Sequence, residues 1–316
     1  MADVVKREGG TQTMGQSPFA LARGQTFERA LFRDGGELLR ESLKKAQVLP
    51  EAASGFHDFR LRQNGGPFGT LDDALAATAG FLKQISTTRP GSNLPSVIAG
   101  PVVRVPGGVM LPEAILVIDV VAATRSQDRP TLTVGEIKTY PDRGGYTDGA
   151  ELATARAQAG VYVHGLRLVL EELGLDKLID VPTTGFLVLS RPGFNRPSIR
   201  ANEDLRYQVA RAVRGFAQLR GVAAGLPGGT DVNAVMDEIL RASVDYAEVC
   251  VSFCDRAAVC QKRALAEGDA TVLGEDVARF LGGTNLYRAV ELLDGANPEN
   301  KAEEDLVRRM ADARRH

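Results

Sequence analysis

The chain has 316 residues, 44% of them apolar, which is enough for one substantial core and a smaller helical appendage. A formal charge of −2, from 38 Lys and Arg against 40 Asp and Glu, excludes a global attraction to polyanions, so any nucleic-acid contact has to come from local clusters of cations. Three clustered cysteines are no disulfide framework, no window approaches the roughly twenty apolar residues of a membrane span, and Met1 to Gly10 lacks the apolar run of a secretory signal; the expected location is the cytoplasm.

Residues 1–16 are polar and Gly-rich and are expected to be a disordered tail. Thr26 to Ala46 reads as the first helix and Leu71 to Ser86 as the second, with Thr70 as its N-cap and Asp72 and Asp73 in its first turn. Ser96 to Val105 reads as the first strand of a meander that continues through 109–124 and 131–140. A crossover helix from Gly149 to Leu173 then leads to a strand over Thr184 to Ser190. Beyond that strand the pattern is helical throughout, over 202–222, 230–265, 271–281 and 301–314.

Chemistry concentrates around the meander. Side chains alternate faces along a strand, so Glu136 and Lys138 share one face while Ile137 packs on the other. The preceding apolar strand carries a single acid, Asp119, and the segment Ser126 to Pro130 has the chemistry of a turn. A hairpin centred between Gln127 and Asp128 places Asp119 directly opposite Glu136, on the same face of the sheet. Glu113 is the rival acid; pairing it with Glu136 would move the turn into Ala123 to Ser126 and leave Asp128 and Pro130 inside a strand, so the turn chemistry favours Asp119. On the following helix Gln158 and Tyr162 stand four residues apart and are neighbours on one face. A Glu-Lys pair alone is most often a solvated face; its spacing to Asp119 and to this helix is what gives it weight.

Asp119, Glu136-Ile137-Lys138, Gln158-xxx-Tyr162 and the strand Thr184 to Ser190 together resemble the PD-(D/E)XK nuclease superfamily, and within it the RecB-like exonucleases, which include CRISPR adaptation nucleases and helicase-associated nuclease domains. Gly24-Gln-Thr-Phe-Glu28 looks like the family's early helix bearing an acid. The resemblance implies an α/β fold with a mixed central sheet of the restriction-endonuclease type flanked by helices, a nuclease domain over 17–265 and a helical extension over 266–316. It implies Mg²⁺ or Mn²⁺ held by Glu28, Asp119, Glu136 and the Ile137 carbonyl, a donor set whose hard oxygens suit those ions. Lys138 would then orient the attacking water, with Gln158 and Tyr162 holding the DNA. The implied activity is a metal-dependent deoxyribonuclease, an exonuclease or DNA-end processor acting in recombination, repair or antiviral defence, alone or beside a helicase or integrase. The alternative is a catalytically weak relative that binds DNA or a partner protein.

Cys250, Cys254 and Cys260 are all the cysteines of the chain and fall within eleven residues, which points to a metal site. In the iron-sulfur members of the resembled family, three such cysteines follow the core and a fourth precedes the early helix. Here the first gap is one residue wider and Gln16 to Gly24 holds no cysteine. An iron-sulfur cluster with a non-cysteine fourth ligand, a zinc ion, and reduced cysteines packed as small apolar side chains all stay open. Arg191, Arg196, Arg200, Arg206, Arg211, Arg214 and Arg220 follow the last core strand and could line a groove, or form a solvated face balanced by Glu203 and Asp204.

Overall fold

In the computed structural model, which describes residues 18–88, 94–105, 114–126, 129–192, 194–225, 233–234, 237 and 256–313, the expected hairpin forms the middle of a larger sheet. β5 (Val120–Ser126) and β6 (Arg129–Pro141) pair antiparallel, with Val120 opposite Gly135 and Ser126 opposite Arg129. That is the register deduced from the turn, carried through the whole hairpin. The crossover helix α3 (Gly149–Glu172) returns the chain so that β7 (Thr184–Arg191) lies parallel to β6, with Glu136 beside Leu187. β1 (Phe56–Asp58) and β2 (Val97–Ala99) complete one side and β8 (Phe194–Asp204) the other, giving the order β1-β2-β5-β6-β7-β8. The protein is thus α/β, with a mixed six-stranded central sheet flanked by helices.

The period-two pattern sorts side chains onto two cores. Val121, Ala123, Leu132 and Val134 pack under α2 (Leu71–Ser86) and α3, against Phe81, Leu82, Val163 and Leu166. Val120, Ala122, Ile137 and Val188 pack on the opposite face, against Leu31, Leu39 and Leu43 of α1 (Pro18–Lys45). By the same parity Glu136 and Lys138 belong to the α3 face. Gly135 is required by close approach: a Cβ there would lie 2.2 Å from the buried Phe186 ring.

Four expectations are corrected. α1 is broken at Arg33–Gly36, where Asp34, Gly35 and Gly36 take φ of 53°, 66° and 68°. Two consecutive glycines make this left-handed turn inexpensive, and a Cβ on Gly36 would meet the Phe56 ring at 2.8 Å. The first two meander strands each divide: β2 and β5 stay in the sheet, while β3 (Val102–Val105) and β4 (Ala114–Val117) leave it as a separate antiparallel ribbon. β8, where only helices were expected, is an edge strand antiparallel to β7. Its Arg196, Pro197, Arg200, Glu203 and Asp204 are what protects an edge, and they hide the apolar alternation by which strands are found. α4 (Arg206–Gly225) therefore begins later than read from the sequence.

The fourth correction, a helix that was not expected, lies in the second of two compact units, whose described elements lie within 18–225 and 256–313. In the second, α5 (Ala257–Glu267), α6 (Glu275–Leu281), α7 (Leu286–Leu293) and α8 (Lys301–Ala313) surround Ala264, Leu281, Leu286, Leu292, Leu306 and Met310. α7 was not anticipated; Asn285 caps it by accepting from the Tyr287 N–H. The tail over 1–16 and most of the helix expected over 230–265 lie outside the described residues, as does Glu113. Among the described residues no helix is long and apolar enough to cross a membrane.

Candidate active site

Asp119 sits where β4 ends and β5 begins, one residue beyond the last hairpin pair, and its Oδ2 accepts the Ile137 N–H at 2.8 Å. This bond continues the ladder through a side chain and fixes the carboxylate beside Glu136. Glu136 is completely buried (0% exposed). Lys138 Nζ lies 2.6 Å from its Oε1 as an ion pair, neither oxygen accepts a well-formed hydrogen bond, and the carboxyl faces that of Asp119. The same ammonium donates to Gln158 Oε1 at 2.9 Å, and Gln158 Nε2 donates to the Tyr162 hydroxyl at 2.7 Å. α3 presents that pair because its i, i+4 spacing turns both toward β6.

The five residues read from the sequence are therefore gathered in one place. Burial holds the Asp119 carboxyl above the ordinary carboxylate range, against Lys138, the Ile137 N–H and the Tyr162 hydroxyl, all of which favour its charge. Burial, then the Asp119 charge, raises Glu136 well above its ordinary value in spite of Lys138. Burial works against the Lys138 ammonium too, yet Glu136 and Asp119 outweigh it and hold the amine protonated. Tyr162 is raised by burial and by the two carboxylates and stays a phenol. Glu28 on α1 joins this field: burial, then Asp119, raises it to about 7, opposed by Arg60 and Lys138.

Arg60 escaped the sequence reading. It is buried, clamps Asp58 with Nε at 3.0 Å and Nη2 at 2.8 Å, and stacks 4.5 Å over the Phe32 ring, one helical turn from Glu28. An Asp-x-Arg spacing in an irregular segment carries no periodic signal, so nothing in the sequence singles it out.

The donor set suits a hard cation. Its oxygens are carboxylates that burial leaves short of compensation, and the buried Glu136 carboxyl, against Asp119, has no well-formed hydrogen bond on either oxygen. Among the described residues no three His, Cys, Asp or Glu side chains already stand in a ligand shell; at Glu136 the Lys138 ammonium takes one oxygen. Of the cysteines, Cys260 is buried on α5, while Cys250 and Cys254 lie outside the described residues. No family model matches the chain, and no curated protein matches it either.

Proposed function

We propose that the chain is a divalent-metal-dependent DNA nuclease of the PD-(D/E)XK type, RecB-like in its arrangement, that hydrolyses phosphodiester bonds in processing DNA ends. The observation that carries this reading is the position of Lys138, suspended between Glu136 and Gln158 with Asp119 beside it. A cation and two carboxylates on a buried face have a large desolvation cost and contribute little to stability, so a catalytic use is the economical explanation.

Asp119, Glu136 and the Ile137 carbonyl, joined by Glu28, would hold Mg²⁺ or Mn²⁺, which supplies Lewis acidity and lowers the pKa of a water. Lys138 orients that water for attack on phosphorus and offers positive charge to the phosphoryl oxygens as it accumulates. The new P–O bond forms from the water, the P–O bond to the leaving sugar breaks, the water's proton passes to solvent, and the leaving sugar oxygen takes a proton from solvent water to depart as a hydroxyl. Gln158 keeps the ammonium aimed, and its other end holds the Tyr162 phenol, whose hydroxyl supports Asp119; the two side chains together would position the DNA strand. Recombination, repair and CRISPR or anti-phage defence, with a helicase or integrase partner, are the settings this chemistry fits; a cluster on the three cysteines would staple the fold.

A second reading has one observation in its favour. The Glu136–Lys138 ion pair engages a carboxylate oxygen that the cation needs, as expected of a catalytically weak protein that binds DNA or a partner. Cleavage of end-labelled single- and double-stranded DNA with Mg²⁺ or Mn²⁺ separates the two. The wild type should cut, and Glu136→Ala and Lys138→Ala should lose on the order of a hundredfold or more in rate while keeping DNA affinity. Equal cutting by all three proteins refutes the assignment.

A further inference from the structure

A few residues beyond Lys138 along the chain is a second feature that the mechanism leaves unused. After β6 the chain makes a tight turn, Asp142 to Thr147, and between this turn and the β7–β8 end opens a cleft of about 750 Å³. That volume is in the range of clefts that take a ligand. Its lining includes Arg143, Gly144, Gly145, Arg191 and Arg200.

The turn is built with care. Asp142 is buried; its Oδ1 accepts the Gly145 N–H at 3.0 Å and its Oδ2 accepts the Ser198 hydroxyl of β8. Arg200 Nη1 donates to the Gly145 carbonyl at 3.1 Å, and Glu203 holds Arg200 at 3.1 Å and Arg156 at 2.5 Å. Both acids lining the cleft are thereby committed to the scaffold. Arg143 and Arg191 are exposed, and their guanidiniums have no hydrogen-bond or ion-pair partner among the described residues, apart from a longer-range attraction of Arg143 to Glu151. Gly144 and Gly145 leave that wall without side chains, so a ligand's backbone can approach closely. Tyr146, on the same turn, is 68% exposed.

We propose that this cleft is the track for a single nucleic-acid strand, with Arg143 and Arg191 pairing backbone phosphates and Tyr146 stacking on a base. Guanidiniums match phosphate oxygens two at a time, and a rigid aromatic beside a basic groove is the general means of holding unpaired bases. Arg143 follows Lys138 by five residues, a separation on the order of 15 Å along extended chain that a few nucleotides span. The choice of nucleic acid over another polyanion rests on the nuclease reading.

The test is fluorescence anisotropy of a labelled single-stranded oligonucleotide with the full chain in EDTA, over a range of salt concentrations. Arg143→Ala/Arg191→Ala should weaken binding on the order of tenfold and reduce the slope of log affinity against log salt by about 1.4, the value for two phosphate contacts to a single strand. Tyr146→Ala should weaken it about fivefold or more with the slope unchanged. Arg279→Ala/Arg308→Ala, which removes equal charge from α6 and α8, should change neither quantity. An unchanged slope in the cleft variant, an equal loss in the charge-matched control, or binding of poly-glutamate as tight as that of DNA overturns the proposal. Binding here needs no divalent ion, so the two readings fail separately. A chain that binds through the cleft but never cleaves refutes the nuclease alone, whereas one that cleaves with the cleft variant's slope unaltered refutes the cleft alone.

Discussion

Glu28 offers the clearest measurement of what the proposed site costs. In the metal-free protein its carboxyl is raised from 4.5 to about 7, first by burial and then by Asp119. A folded-state pKa above the unfolded one means that the native chain holds a proton the unfolded chain has released. The penalty is absent below about pH 4.5, grows as pH rises through the window from 4.5 to 7, and is complete above 7. At about 1.4 kcal/mol per pKa unit the full shift is worth roughly 3 kcal/mol, an upper bound for a side chain that is only partly buried. Glu28→Gln removes the titration, so in EDTA at pH 8 the variant should be more stable than the wild type by up to about 3 kcal/mol. For a unit of this size that is roughly 6–12 °C in Tm. At pH 4.5 the two proteins should melt together. With saturating Mg²⁺ the difference at pH 8 should shrink, because a cation that binds the ionised site stabilises only the wild type. The assay is a thermal melt across pH with and without the ion. A stability difference that is flat with pH, or that is largest in acid, refutes the argument.

Gly160 lies between Gln158 and Tyr162, where α3 meets α4; a Cβ there would lie 2.6 Å from Gln208 Cβ and 2.8 Å from its backbone carbon. Gly160→Ala should destabilise by about 1–3 kcal/mol despite the better helix former, read as a lower urea midpoint, and should lower cleavage with it. Asp142→Ala strands the Gly145 N–H and the Ser198 hydroxyl and should cost about 1–3 kcal/mol by denaturant melt, with Asp142→Asn recovering part of it. If Cys250, Cys254 and Cys260 hold an iron-sulfur cluster, anaerobically purified protein is brown with iron and sulfide in comparable amounts and Cys254→Ser destabilises the fold; colourless, metal-free protein removes the cluster.

What was legible in the sequence follows from which signals are local. The hairpin register needed only turn chemistry at 127–128 and the parity of Asp119 against Glu136, and the paired residues Val120 and Gly135 bear it out. α2 also needed only local information, its cap at Thr70 and its acids at Asp72 and Asp73, and its bounds are those expected. The break at Arg33–Gly36 was not seen because a 3.6-residue apolar pattern persists across it, with Leu31, Leu39 and Leu43 all in one core. β8 was missed because its stability comes from pairing with β7 rather than from its own alternation. Arg60 was missed because its partners, Asp58 and Phe32, are assembled by the fold, and only one of them is near in sequence.

The same division between local and assembled features accounts for how the site works. Parity alone puts Asp119, Glu136 and Lys138 on a common face, but it would do so equally for a solvated surface of no consequence. Burial makes the difference, and burial comes from α3 closing over that face with Tyr162 and from α1 bringing Glu28 to its edge. Once water is excluded, each carboxylate resists ionising, and the cations that oppose this are Lys138 beside Glu136 and Asp119 and Arg60 near Glu28, which is itself clamped by Asp58. Such a site is short of positive charge by construction, so a divalent ion or the electropositive surroundings of a bound phosphodiester would relieve it, while a purely structural cluster would have been replaced by apolar side chains at no loss of stability.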